Sequence, residues 1–384
     1  MARLSSRLKQ MRDLRDKSPS PGGTSPRLGG KTQGKAFSPD ELGKGWVRIA
    51  PYVWKKVSSV SLGTLPSSFP GLFLKSPKDL SRLVMYDFET TGLSGGAGTI
   101  IFLAGFGMIA GQNFRIEQLF LADYPGEPDF LREISNRLKS ENIYVSYNGK
   151  SFDRNILMNR FRLNHLEGEM PLQLDLLYPA RTLWKRALDT CSLGQIERDV
   201  LDITREEDIP GILIPQCYQD FLNRRDRMCM RKVAAHHLQD VISLLRLLFF
   251  FENAVVNPAA LKHPEAREGL GILLLRERDR RGLPILEEEL AEGAERSGTV
   301  LALHYKRTGD TVSFERVLNR MIELGEGLFQ CIEMAKFLEH RQKQPEKALV
   351  FVEKLLRRKK YLSPAQLEGL IHRKKRLERK CRGV

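Results

Sequence analysis

The chain has 384 residues, 41% of them hydrophobic and 19 of them phenylalanine, which is enough apolar material for a packed core and excludes global disorder. Two or three domains fit this length. The formal net charge is +15, and residues 351–384 carry twelve Lys/Arg against three Glu, a concentration that suits a polyanion such as nucleic acid, an anionic membrane surface, or simply a solubilising tail.

In chain order, residues 1–16 read as a short basic helix, and KSPSPGGTSPRLGGKTQGKAFSPD (17–40) as a Gly/Ser/Pro-rich flexible linker, so 1–44 is expected to be a basic, flexible segment. MARLSSRLKQMRDLRD never becomes an apolar leader, so no secretory signal is expected and a cytoplasmic location is the default. GWVRIAPYVWKK (45–56) holds two of the three tryptophans and too little else for a core of its own, so 45–79 is expected to dock on a neighbouring surface.

From residue 80 the signals are regular. Strands are predicted at 82–88, at IFLAGFGMIA (101–110) after the glycine-rich GLSGGAG, and at the alternating FRIEQLFLADY (114–124), together an antiparallel meander. A helix follows over 128–140, a strand over 142–149, a second helix from Ser151 to about Asn164, and a long apolar helix over 228–256. Its greasiest part, 241–256, is interrupted by Arg246 and Glu252 and reads as buried rather than membrane-spanning. The sequence thus predicts a mixed α/β domain over 80–256. Residues 257–384 carry helical pieces with short polar breaks, with Ala335 and Ala348 where antiparallel helices cross. The spacing is close to tetratricopeptide repeats, and an all-α helical-repeat domain with a basic C-terminal tail is expected. The five cysteines (191, 217, 229, 331, 381) form no C-x-x-C pair and no framework, which fits a reducing compartment and argues against a structural zinc site.

The unusual feature is VMYDFETTGL (84–93), where Asp87 and Glu89 interrupt an apolar run. Separated by two, they share one face of a strand, the face of Leu83 and Met85. A surface strand end tolerates both acids, whereas a buried one needs compensation. In SYNGKSFDRNIL (146–157), Asn148-Gly149 makes a turn, Ser151 is a candidate helix cap, and Asp153 sits in the first turn, where capping alone explains a carboxylate. In AAHHLQDVISLL (234–245), either His236 or His237 shares a helix face with Asp240, and such a pair is usually structural. Taken together, four acids and a histidine need a cation between them to stay ionised. Hard divalent ions such as Mg2+ or Mn2+, two of them, would clamp a phosphodiester while the histidine takes a proton from water.

DFETTG (87–92), YNGKSFD (147–153) and HHLQD (236–240) resemble the three motifs of the DEDD exonucleases of the ribonuclease H-like superfamily. GLSGGAGT, QLDLLYPARTLW, CSLGQIE and DIPGILIP extend the likeness to the YprB-type ribonuclease H-like proteins, predicted bacterial exonucleases. The resemblance covers about 80–256, with the helical tail also similar. It implies a ribonuclease H-like mixed sheet flanked by helices and a nuclease, 3′-5′ in direction. It also implies Asp87, Glu89, Asp153 and Asp240 as metal ligands, with His236 as general base. In the histidine-type branch the base lies five positions before the final aspartate, which is Ala235 here. The tyrosine-type branch uses four, which is His236, so His236 and His237 both stay open.

Asp175 is a further acid outside the core four, for structure, substrate positioning or metal. Lys150 and Lys185 are candidate phosphate contacts, though most lysines are simply solvated. GLSGGAG lets backbone approach a nucleic-acid strand or is just a hairpin turn, and it lacks the P-loop ending. The leading expectation is a metal-dependent nuclease on DNA or RNA. The alternatives are a nucleic-acid-binding scaffold with a silent domain, or a helical-repeat adaptor with a protein partner. No membrane partner is expected.

Overall fold

The computed structural model describes residues 42–382 apart from 64–70, 75–76, 93–95, 97, 206–207 and 225. The basic helix and linker expected over 1–40, and most of the GLSGGAG turn, therefore lie outside the described residues.

Among the described residues seven strands form one sheet, with spatial order β1-β2-β5-β4-β3-β6-β7. β1 (Trp46–Ala50), β2 (Val53–Ser61), β3 (Leu83–Thr90), β4 (Ile101–Ala110) and β5 (Asn113–Leu121) pair antiparallel. β6 (Ile143–Ser146) and β7 (Gln173–Asp175) add parallel strands beyond β3, each after a crossover, with α1 (Glu127–Ser135) and α2 (Asp153–Leu163) in the connections. The 45–56 stretch expected to dock is instead the β1–β2 hairpin, which widens the sheet. Trp54 is opposite Phe120 of β5, and Trp46 meets the same ring edge-on at 6.0 Å, so both tryptophans bury within the sheet layer.

Central β3 is buried on both faces, with Leu83, Val84, Met85, Tyr86 and Phe88 all inside, as a strand covered by helices on each side requires. α3 (Leu177–Trp184), α4 (Leu193–Asp199), α5 (Ile214–Arg224) and the 30-residue α6 (Arg227–Val256) follow. α6 crosses β3 and β4 closely because Gly105 and Gly107 face it: a Cβ on Gly105 would lie 2.6 Å from the His237 ring and one on Gly107 2.9 Å from Val241. Cys217 of α5 and Cys229 of α6 are joined as a disulfide, with Cα atoms 5.6 Å apart. That corrects the expectation of no cysteine framework, since the short turn between the helices makes neighbours of residues 12 apart.

The helical region runs through α7 (Pro264–Arg276), α8 (Gly282–Ala291), α9 (Glu295–Thr308), α10 (Thr311–Leu324), α11 (Leu328–His340), α12 (Pro345–Arg357) and α13 (Pro364–Cys381). The apolar core continues from the sheet into α7 through Trp184, Leu270 and Leu274, and Gly269 lets α7 lie against α3, since a Cβ there would be 2.5 Å from the Thr182 carbonyl. A second core joins α8 to α13, with Ala335 and Ala348 fully buried where α11 and α12 meet. This repetitive helical extension is tetratricopeptide-like.

Part of the basic tail turns inward. Glu339 of α11 is buried and accepts from Arg373, Arg376 and Lys380 of α13 at 2.7–2.9 Å, and Lys374 pairs with Glu353 at 2.8 Å. Burial pushes the Glu339 carboxyl up, but its cations outweigh that and hold it at about 2. A depressed folded pKa stabilises above the ordinary carboxylate range and is lost as pH falls through it. Glu339→Ala is expected to release α13 and expose the 358–363 link to limited proteolysis at neutral pH. In the wild-type chain the same cut should appear only as pH falls from about 4.5 towards 2. An uncut Glu339→Ala would show that Leu370 and Leu377 hold α13 unaided.

Candidate metal centre

β3 places Asp87 and Glu89 on one face, two residues apart, just before the bulge between Glu89 and Thr90 lets the strand leave the sheet. Asp153 opens α2 and is buried. Its position depends on the turn before it. Asn148 takes a left-handed φ of 69°, and a Cβ on Gly149 would strike Ser146 Oγ at 2.6 Å and the Tyr86 hydroxyl at 2.7 Å. The Asp175 carboxylate fastens this turn by accepting from the backbone N–H groups of Asn148 (2.8 Å), Lys150 (3.1 Å) and Leu177 (3.0 Å). Asp175 is thus a clasp behind the cluster. Ser151 does not cap the helix as expected: α2 begins two residues later, and the Ser151 hydroxyl pairs with that of Tyr178 at 2.9 Å.

α6 supplies the third side. His237 is fully buried, its Nε2–H donating to the Asp87 carbonyl at 3.0 Å and its Nδ1 accepting from Gln118 at 2.9 Å. That pair of bonds selects the neutral ring, and burial pulls its pKa down to about 4. The ring of the preceding residue, His236, faces the acids, with Nε2 3.3 Å from Asp240 and Nδ1 2.7 Å from Asp208. Burial pulls it down, but Asp240 and Asp208 raise it to about 9, so it is cationic at neutral pH. Nδ1 also lies 2.9 Å from Arg205 Nη1. It cannot both donate to Asp208 and accept from Arg205, and the protonated ring selects the donation.

One ligand atom from each of Glu89, His236 and Asp240 lies within 4.8 Å of the others. Asp87 and Asp153 stand beside this trio without joining it at that distance, yet Asp87 repels both Asp240 and Asp153, and Glu89 feels all three of the other acids. Burial and the neighbouring Asp240 push Asp87 up to about 7. Burial, then Asp87, push Glu89 and Asp153 well above the carboxylate range. Asp240 alone is held low: burial raises it, but His236 and Arg205 outweigh that. Half-buried Asp87 and Glu89 and buried Asp153 thus have too little counter-charge to stay ionised and compete for protons, the condition that a divalent cation relieves. The carboxylate oxygens suit hard divalent ions such as Mg2+ or Mn2+.

Arg205 is the residue that motif reading missed. Its guanidinium grips Glu197 through two bonds of 2.6 Å and also touches Asp240. Glu197, itself buried, receives the Ser243 hydroxyl from α6. Nothing in ITREED (203–208) marks that arginine, because a charged loop is usually solvated. A buried glutamate in CSLGQIE (191–197) was the available clue.

A family model described as RNase H superfamily matches residues 84–249. The uncharacterized protein YprB of Bacillus subtilis (strain 168) is 31% identical over 313 residues, covering 78% of this chain and 75% of that protein. Among solved structures, exonuclease I matches at 14% identity and a TM-score of 0.29, over 50% of this chain and 45% of that one. A zinc-bound E. coli exonuclease I complex with single-stranded DNA matches at 14% and 0.28, over 48% and 43%. The chain spans less than half of either structure, and superpositions that loose bear on neither fold nor activity. The first two matches, with the sheet order and the acids at the end of β3, place the chain in the YprB-type ribonuclease H-like family.

Proposed function

We propose that the chain is a metal-dependent nuclease that hydrolyses phosphodiester bonds of DNA or RNA, working 3′ to 5′ from a free end. The observation that supports this reading is the cluster of Glu89, His236 and Asp240, drawn from two separate segments, with Asp87 and Asp153 electrostatically coupled beside it. Asp87, Glu89, Asp153 and Asp240 would hold two Mg2+ or Mn2+ ions, which when bound neutralise the phosphate and the leaving oxygen. The chain's own groups do the rest. Glu89 and His236 stand where an attacking water is oriented, and His236 takes its proton as the new P–O bond forms and the 3′ oxygen leaves. His236 must first be neutral, and neutralising Asp240 and Glu89 removes two of the three charges that raise it, leaving only Asp208. His237 holds the Asp87 backbone in place.

The test is an end-labelled oligonucleotide with either terminus blocked, incubated with Mg2+ or Mn2+. Mononucleotide release that stops only when the 3′ end is blocked supports the reading, and intact DNA and RNA with both metals would sink it. A pH dependence follows. Because the folded Asp87 keeps its proton up to about 7, the metal-free fold loses stability as pH rises from the usual carboxylate range towards 7. Metal binding must expel that proton. Mn2+ affinity is therefore expected to rise at least about tenfold per pH unit below 7, and more steeply where Glu89 and Asp153 also release protons. Calorimetry in two buffers of different ionisation enthalpy reads the released proton directly, and a pH-independent affinity would remove Asp87 from the ligand set.

A second reading draws on Arg205. Its guanidinium already neutralises Asp240 and is anchored by Glu197, so a chain that keeps it there has a catalytically silent site and acts as a nucleic-acid-binding scaffold. Wild-type protein that binds Mn2+ only after Arg205→Ala would favour this.

A further inference from the structure

The acids explain where a strand would be cut but not what holds the rest of it. α3 begins two residues after Asp175, and its outer face is built differently from its core face. Leu177, Ala180, Leu183 and Trp184 are buried, while Tyr178, Arg181 and Lys185 are exposed at positions i, i+3 and i+7. Tyr178 is 51% exposed, and its hydroxyl meets Ser151, two residues before Asp153. Lys150 lies exposed at this same end. The next cation, Arg186, is already paired with Glu268, but Lys150, Arg181 and Lys185 have no ion pair among the described residues.

At the far end of α3, Arg276 of α7 donates to the Thr182 hydroxyl at 3.4 Å. Arg276 is also on the rim of a cavity of about 1020 Å3 between α7 and α9. Ile272, Leu275, Val300 and Leu303 contribute apolar surface to it, and Arg278, Arg280 and Arg307 surround it. Among the described residues these three arginines have no ion pair. The acid in the wall, Asp279, is paired with Arg281 at 2.5 Å. His304, also in the wall, has a buried Nδ1 with no hydrogen-bond partner among the described residues. Cations and an apolar surface without free carboxylates suit a phosphate backbone carrying flat, partly apolar bases.

The geometry points to a continuous track for single-stranded nucleic acid, running from the carboxylates along Tyr178, Arg181 and Lys185 into the arginine-lined cavity between α7 and α9. It rests on the nuclease reading for where the strand begins. From Tyr178 to Lys185 the helix covers roughly 10 Å, so a strand of only a few nucleotides ends before the cavity. Tyr178 offers a ring face for a base and the arginines neutralise phosphates further on. Long strands are therefore bound more tightly than short ones by contacts remote from the site of cleavage.

The experiment measures fluorescence anisotropy of the full chain in EDTA, which prevents cleavage, with labelled oligothymidylates of about 3 and about 20 nucleotides. Wild-type protein is expected to prefer the long oligomer. Arg278→Glu with Arg280→Glu, both at exposed positions, is expected to weaken the long oligomer at least about tenfold and to lower the salt slope by at least about 1. Tyr178→Ala is expected to weaken both oligomers about tenfold. Circular dichroism confirms that each variant is folded. Equal wild-type affinity for the two lengths, or an unchanged long-oligomer affinity in the double variant, overturns the track. So does arginine-dependent binding of poly-glutamate by a chain that ignores the oligomers, which would make the cavity a site for acidic peptide. Arginine-dependent binding without any cleavage in Mg2+ or Mn2+ leaves the track standing and removes the nuclease reading. Cleavage with no length preference does the reverse.

Discussion

Asp87→Asn and Asp240→Asn are each expected to reduce cleavage of a labelled oligonucleotide at least about 1,000-fold. They should also abolish the rise in melting temperature that Mn2+ gives the wild-type chain. Asparagine keeps the volume and a hydrogen-bonding oxygen, so what is removed is charge at the point where four acids meet. A ligand bound only by the native state stabilises it by about 2.7 kcal/mol at a hundred times its dissociation constant, and losing that shift is readable without any assay of activity. In EDTA the two variants should part company. Burial and Asp240 hold the Asp87 carboxyl up to about 7, so its ionisation works against the fold above that pH, and Asp87→Asn should melt no lower than wild type at pH 8. Asp240 is bonded to His236 and Arg205 and held low, so Asp240→Asn leaves both cations short of a partner and should melt lower. His236→Asn gives the third arm: loss of the proton acceptor lowers cleavage by about 100-fold or more while the Mn2+ shift survives. Cleavage that persists in Asp87→Asn would move the chemistry elsewhere on the molecule.

The same residues explain why some of this was legible in the sequence. A carboxylate inside an apolar run is conspicuous, so Asp87 and Glu89 identify the end of β3. The largely apolar runs of β3, β4 and α6, with the alternation of β5, mark the sheet and the helix that covers it. What one-dimensional pattern cannot carry is pairing across space. VWKKVSSVS, half polar, becomes β2 because β5 offers it a partner over nine residues. Arg205 matters because Glu197 and Asp240 converge on it from two helices. His236 and His237 are equivalent by spacing, and only the close pass of Gly105 against α6 shows that the second is walled in. The tail's charge, read as one basic surface, divides once α13 lies against Glu339.

Glu252→Ala is expected to destabilise the metal-free chain by about 3–5 kcal/mol, read from urea unfolding with an unchanged slope. Glu252 lies near the end of α6 and is 1% exposed. One of its oxygens accepts from the N–H groups of Gly71 and Leu72 at 3.1 Å, and the other from those of Phe73 at 2.7 Å and Leu74 at 3.1 Å. Four successive backbone donors thus converge on one carboxylate, the arrangement by which a chain segment without helix or strand satisfies its amides. Water cannot replace the carboxylate easily, because Leu72 and Leu74 on either side are themselves buried in the core that includes Phe251. Alanine therefore leaves donors unsatisfied and opens a cavity together. Glu252→Gln separates the two effects: it fills the space, keeps one acceptor, and turns an N–H2 towards two N–H groups, so it should lose about half as much. A loss under about 1 kcal/mol for alanine would mean that 71–74 is held by its leucines alone. A loss of the expected size makes this clasp the anchor of α6, the helix that carries His236 and Asp240 to the acids of β3.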